Sequence, residues 1–337
     1  MSKLIVVVGI TGNQGGSVAH RFLQDSNYRV RGVTRNPEAP KAKEFATRGV
    51  EIVQADLDEA KSLKKAFNKA NVIFAVTNYW EPFFRPDCRQ EAQEAGISCR
   101  EHASHVEYRH GKNIADAAAT EVDTLLPNGF LVSTLSHAGK CSKGAFKELY
   151  HFDAKADIFP DYVGSKHPGL ASKMSCIQTG YFFTSYRLIP DLYLKKLSDG
   201  SFQMSLTTNP DKPAPHLDVV ADMGNFVYAV SHRSPGGHYM AEGSTCSWSD
   251  WVRIWGEITD QKASYRHVTP RQMIDMAPDK EFGREVAEMF MYTSNPGYDG
   301  GMELITAADM RKEGIDCPMT SLEDFVRKTD WTDILSQ

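Results

Sequence analysis

The sequence predicts an α/β fold: a doubly wound parallel sheet, followed by a smaller α+β lobe. Three observations predict it. Short β-branched apolar runs alternate with helical stretches up to about residue 178. The first run closes on Gly9, Gly12 and Gly15, spaced GxxGxxG, with a helix directly behind. From Gly180 onward the alternation gives way to mixed strand, helix and turn signals. Residues 1–180 therefore read as one unit and 181–337 as a second, smaller one, with chain crossings between them.

Leu4 to Val8 is a buried parallel strand. Val18, Ala19, Phe22 and Leu23 follow at helical spacing. Strand, glycine turn and helix together make an anion site: unpaired amides and the positive end of the helix dipole face a pyrophosphate. Gly9 permits the sharp turn, Gly12 lets a phosphate approach the backbone, and Gly15 lets the helix sit close to the strand. This is the dinucleotide-binding pattern of a Rossmann-type sheet.

The second strand, Arg29 to Thr34, ends at Arg35-Asn36-Pro37. A carboxylate here would hold a ribose 2′-hydroxyl; an arginine suits a 2′-phosphate. No acid stands at the strand end, so the sequence favours NADP(H) over NAD(H). A short helix, Pro40 to Arg48, leads to a third strand, Val50 to Gln54. Asp56 and Leu57 at its end either flank the adenine or begin the next helix, which carries Leu63 and Phe67. The fourth strand, Val72 to Val76, aims Thr77, Asn78 and Tyr79 at the cofactor. Glu81 to Ser104 lacks clear periodicity and reads as a long loop with one helical turn. A helix from Val106 to Ala119 and a fifth strand, Phe130 to Val132, follow. The next helix starts near Phe146 and breaks around Pro160, and Lys173 to Gln178 is the sixth strand. In the second unit, Asp218 to Val230 and Ser249 to Ile258 are helices.

The middle of the chain carries Tyr150-His151-Phe152-Asp153-Ala154-Lys155. Short-chain dehydrogenases place a tyrosine four residues before a lysine, on one helix face. The lysine holds the ribose and lowers the phenol's pKa for proton transfer. Here His151 occupies that place, and Tyr150 is rotated off the face. His151 either gives the proton itself or packs beside the cofactor; Tyr79, Tyr162 and Tyr181 are the alternative donors. Ser133, at the end of the fifth strand, either orients a substrate or serves a turn.

Composition narrows the function. Of 337 residues, 41% are hydrophobic and 24% charged, as in ordinary globular proteins. A net charge of -5 argues against a nucleic-acid surface. No apolar run reaches membrane-spanning length, and Met-Ser-Lys before the first strand leaves no room for a targeting peptide. The six cysteines contain no CxxC pair and read as reduced thiols of a cytoplasmic or nuclear protein. His102, His105 and His110 cluster, but no nearby cysteine or carboxylate spacing completes a metal set, so no metal is expected.

Gly9-Ile-Thr-Gly12-Asn-Gln-Gly15-Gly16, Val33-Thr-Arg-Asn-Pro37, Thr77-Asn-Tyr-Trp-Glu81, Gly111-Lys112 and His151-Phe-Asp-Ala-Lys155 together resemble the NmrA-like family, an atypical branch of the short-chain dehydrogenases. The resemblance spans most of the chain, including Gly283 to Tyr292 and Leu322 to Trp331. It implies NADP(H) held by Gly9, Ile10, Thr11, Gly12, Asn13 and Gln14, with Arg35 and Asn36 at the 2′-phosphate. It implies Asp56 and Leu57 at the adenine, Thr77 to Tyr79 and Arg109 along the cofactor, and Lys155 on the nicotinamide ribose. Tyr181, Phe182, Phe183 and Thr184 would lie under the nicotinamide. Two departures stand out. Glu81 to Ser104 is long for the family, and Glu38-Ala39 falls where the family is more basic, leaving Lys41 or Lys43 to help.

Two functions follow, of different classes. The resemblance implies a redox sensor or regulator that responds to the NADPH/NADP+ ratio and is read by a protein partner; the missing tyrosine favours it. The alternative is an NADPH-dependent reductase of a small carbonyl or enone, with His151, Lys155, Ser133 and Tyr181 as its candidate machinery. Either acts as a monomer or homodimer.

Overall fold

The computed structural model describes residues 2–336. Its strands are β1 (Lys3–Val8), β2 (Tyr28–Thr34), β3 (Glu51–Gln54), β4 (Val72–Ala75), β5 (Phe130–Thr134), β6 (Met174–Thr179), β7 (Tyr181–Phe182), β8 (Lys195–Lys196), β9 (Phe202–Leu206), β10 (Pro213–Leu217), β11 (His238–Ala241), β12 (Ser244–Ser247), β13 (Ala263–His267) and β14 (Ile305–Thr306). Eight of them form one sheet in the order β14-β11-β6-β5-β4-β1-β2-β3, parallel at every pairing. From β1 the chain winds one way through β2 and β3, then the other way through β4, β5 and β6. The switch point lies between β1 and β4.

Burial on both faces explains the unbroken apolar runs. Ile5 and Val7 of β1 face the helices Asn13–Phe22 and Val219–Ser231, packing on Val18, Phe22, Phe226 and Val230. Leu4, Val6 and Val8 face the other way, onto Leu63, Phe67 and Ile114. The two helices of the first face touch closely. The Gly224 amide donates to Ser17 Oγ at 2.9 Å, and a Cβ on Gly224 would collide with the Ser17 carbonyl.

The second half supplies β11, β14 and the helix Val219–Ser231 to this layer, and it also builds a separate core. There, two three-stranded sheets, β12-β10-β7 and β13-β9-β8, enclose Trp248, Trp251, Trp255, Phe290 and Tyr292. None of the helices among the described residues is long and apolar enough to cross a membrane.

Two expectations fail. Glu81 to Ser104 is helical nearly throughout: Trp80–Phe84, then Pro86–Ala95, then the start of Cys99–Ala118. Local chemistry builds these elements. Pro86 opens the second helix after extended Arg85, Gly96 ends it at φ 67°, and Ser98 Oγ caps the third on the Glu101 amide at 3.1 Å. The long helix therefore begins seven residues before Val106. The helix that bears Lys155 spans Tyr150–Ala156 rather than starting near Phe146, and it passes into a distorted turn where Phe159 precedes Pro160.

Candidate functional site

The carboxyl ends of β1, β2, β3 and β4 are neighbours in the sheet, and they carry most of the predicted cofactor residues: Gly9 to Gly15, Arg35 and Asn36, Asp56 and Leu57, and Thr77 to Tyr79. At the first turn, Gly9 adopts φ 66°. A Cβ on Gly15 would run into the Gly9 and Val8 carbonyls, so glycine alone fits against the strand end. Gly12 precedes the helix Asn13–Phe22. No side chain caps that helix, and its first turn holds no acid. Its leading amides are thus free for an anion. Gln14 Oε1 is buried beside the turn with no partner among the described residues. These residues fit a dinucleotide pyrophosphate.

Arg35 reaches across the crevice, its guanidinium 3.0 Å from Glu81 Oε1. Both side chains keep solvent access, so the fork can turn to a phosphate. Lys43 is paired with Glu38 at 2.9 Å. The loop after β3 is strapped to the long helix. Arg109 and His110 hold Asp58 at 2.8 and 3.1 Å, and Asn113 donates to the Leu57 carbonyl at 2.8 Å. Burial alone would raise the Asp58 carboxyl, but Arg109 and His110 outweigh it and hold it below the usual carboxylate range.

Two buried carboxylates organise the other side of the crevice. Glu107 is fully buried and pairs with Lys155, and Thr77 Oγ1 donates to the same oxygen at 2.7 Å. Its second oxygen has no partner among the described residues. Glu285, also fully buried, accepts from the His151 amide at 2.9 Å, meets His151 Nδ1 at 2.6 Å and pairs with Arg100 Nε at 2.8 Å. Burial would raise its carboxyl, yet His151 and Arg100 keep it below the ordinary value. His151 and Lys155 stand one turn apart on the helix Tyr150–Ala156, each tied to its own carboxylate.

The candidate phenols have their hydroxyls committed to other groups. Tyr79 is buried and its hydroxyl donates to the Arg100 carbonyl at 3.0 Å. Tyr162 donates to Asp116 at 2.7 Å, elsewhere on the long helix. Tyr181 and Phe183 turn into the second core. The Tyr181 hydroxyl meets Thr293 Oγ1 at 2.7 Å and its ring stacks on Phe290, while Phe183 stacks on Phe325. Burial pushes the Tyr79 and Tyr181 phenols well above their ordinary range. Apolar packing takes both rings, where the family resemblance sets Tyr181 and Phe183 under a nicotinamide. Phe182 is half-buried against the sheet-face cluster, and Thr184 follows in a short helical turn, Phe183–Arg187. Ser133 is buried one residue before the end of β5.

The NmrA-like family model matches residues 1–326. The chain belongs to the NmrA-like family. An NmrA-like family domain-containing oxidoreductase, FrzB, from a Cladobotryum species is 34% identical over 309 residues, covering 88% of this chain and 85% of that one. Among solved structures, NmrA, a negative transcriptional regulator, in complex with NADP superposes with a TM-score of 0.70 at 17% identity, covering 97% of this chain and 95% of that one. An NADPH-dependent quinone oxidoreductase from Escherichia coli, complexed with NADPH, gives 0.66 at 14%, covering 96% and 98%. At such identities these two superpositions establish the fold. Within this NmrA-like chain, Glu107, Glu285 and Arg100 are the site residues that sequence reading missed. All three are buried, and each pairs with a residue distant in sequence.

Proposed function

We propose that this NmrA-like chain binds NADP(H) at the carboxyl ends of β1 to β4 and responds to its oxidation state as a regulator. The uncapped, acid-free helix behind Gly9 and Gly15 at the switch point carries the binding reading. Arg35, with no acid at the end of β2, supports the 2′-phosphate. NADP in the NmrA complex and NADPH in the quinone oxidoreductase agree with it. The regulatory reading rests on the missing tyrosine. Tyr79 and Tyr181 are buried and their hydroxyls committed, and Lys155, which would activate a phenol, is paired with Glu107.

A second reading, reduction of a small carbonyl, enone or quinone, is favoured by one arrangement. Glu285 takes His151 Nδ1, which fixes the imidazole and leaves Nε2 as the nitrogen able to pass a proton. NADPH would supply hydride. Lys155 would leave Glu107 for a ribose hydroxyl, and His151 would protonate the reduced oxygen. FrzB and the quinone oxidoreductase bear oxidoreductase names, which agrees with this reading.

The test is titration with NADPH, NADP+, NADH and NAD+, followed by NADPH absorbance with a panel of quinones, enones and carbonyls. Tight binding without consumption, and protease sensitivity that differs between NADPH and NADP+, supports the regulator. Consumption that His151→Ala removes while binding survives makes it a reductase. No binding of any nucleotide overturns both.

A further inference from the structure

The segment Pro86–Ala95 folds back on Cys99–Ala118 through the turn at 96–98. This brings to His102 two ligand types that the histidine cluster lacks in sequence. Cys88 and Glu91 stand one helical turn apart on the first helix, against His102 on the second. The Cys88 thiol, a Glu91 carboxylate oxygen and a His102 ring nitrogen all lie within 4.8 Å of one another. His102 Nε2 is buried and 3.2 Å from Glu91 Oε2, yet makes no hydrogen bond of acceptable geometry. A bound cation would satisfy this nitrogen and the carboxylate beside it together. Cys88 is 2% exposed, while the Glu91 side chain is 61% exposed and leaves an entrance. His105 is exposed, and His110 is turned to Asp58, so neither belongs to this group.

We propose that Cys88, Glu91 and His102 bind one Zn2+ ion, which pins the helix Pro86–Ala95 to the first turns of Cys99–Ala118. Sulfur, imidazole and carboxylate together suit Zn2+; Mg2+ and Ca2+ take oxygen ligands. Three protein ligands leave a fourth position for water. Binding sends the Cys88 thiol proton to solvent.

The test uses the full chain, stripped with a chelator and titrated with Zn2+ alone, then with Co2+ for spectroscopy. One equivalent should bind, Co2+ should give a near-ultraviolet thiolate charge-transfer band, and the thermal midpoint should rise. Cys88→Ser should abolish the band. Glu91→Gln and His102→Gln, which alter more accessible side chains and keep the test valid should Cys88→Ser fail to fold, should each weaken Zn2+ by about tenfold or more. Cys246→Ser, on β12, should change nothing. Absence of saturable binding, a Co2+ complex without the thiolate band, or unaltered affinity in the Glu91 and His102 variants would overturn the assignment.

Discussion

Replacing Glu285 with glutamine keeps its volume and removes one negative charge from a place without solvent. The carboxylate holds Arg100 Nε at 2.8 Å and His151 Nδ1 at 2.6 Å. Arg100 is 3% exposed. After the change it keeps the Glu148 carbonyl at 2.5 Å and the longer approaches to Glu148 and Glu288 carboxylates at 3.4 and 3.6 Å. Removing one partner of a buried ion pair costs about 3–5 kcal/mol. The surviving carboxylates reduce that to about 2–4 kcal/mol, in keeping with one or two lost charge-assisted hydrogen bonds. Urea unfolding followed by tryptophan fluorescence and circular dichroism measures it, with an unchanged m-value expected. Glu281→Gln serves as control; it breaks an exposed pair with Arg284 and should cost less than about 0.5 kcal/mol. A cycle with Arg100→Met should show coupling of about 1–3 kcal/mol. A Glu285→Gln cost under about 1 kcal/mol, or a cycle near zero, would refute the view that this network is a buried, coupled charge centre.

Three further outcomes are expected. Gly12→Asp places a carboxylate at the mouth of the helix Asn13–Phe22; calorimetry should show NADPH affinity reduced by at least about 100-fold, roughly 2.7 kcal/mol, while circular dichroism is unchanged. Arg35→Ala should cost NADP+ about 1.5–3 kcal/mol and leave NAD+ nearly unaffected in parallel titrations. Burial would lower the His137 imidazole, but Asp153 and Asp157, at 3.0 and 3.2 Å, overcome it and raise the ring to about 9. A raised folded value means that the stabilisation is whole below the unfolded value of about 6.5 and is lost as pH climbs through about 9. His137→Gln should therefore cost about 1–2 kcal/mol near pH 6, after allowance for solvent screening, and nearly nothing by about pH 10, read from urea midpoints at each pH.

Strands β1 to β6 were legible within one or two residues because both faces of the sheet are covered, which writes each strand as a short apolar run. The glycine turn was legible because close backbone approach leaves glycine no substitute. The hairpin of Pro86–Ala95 was not. Cys88 and Ala92 are its buried residues, a stripe too narrow to register as periodicity. Strands β11 and β14 span four and two residues and join the sheet through a neighbour distant in sequence. The charge network escaped for another reason. Arg100 and Glu107 sit in the run Arg-Glu-His-Ala-Ser-His-Val-Glu, which a hydropathy pattern assigns to solvent, and nothing local says that Glu285 and Lys155 will meet them. Tyr181 and Phe183 show another limit: an aromatic at a strand end satisfies a ligand floor and a second core equally well until the neighbours are known.

The sheet's dependence on the second half bears on how the chain comes off the ribosome. When residue 180 has been made, β6 is an unpaired edge until β11 arrives, and the helix Asn13–Phe22 lacks the cover of Val219–Ser231. Ile177 and Phe22, fully buried in the finished protein, stay open to solvent through that interval. The nascent first half is thus a sticky intermediate whose capture by chaperones, or loss to aggregation, is decided by the time needed to synthesise some sixty further residues, at about 5–20 residues per second.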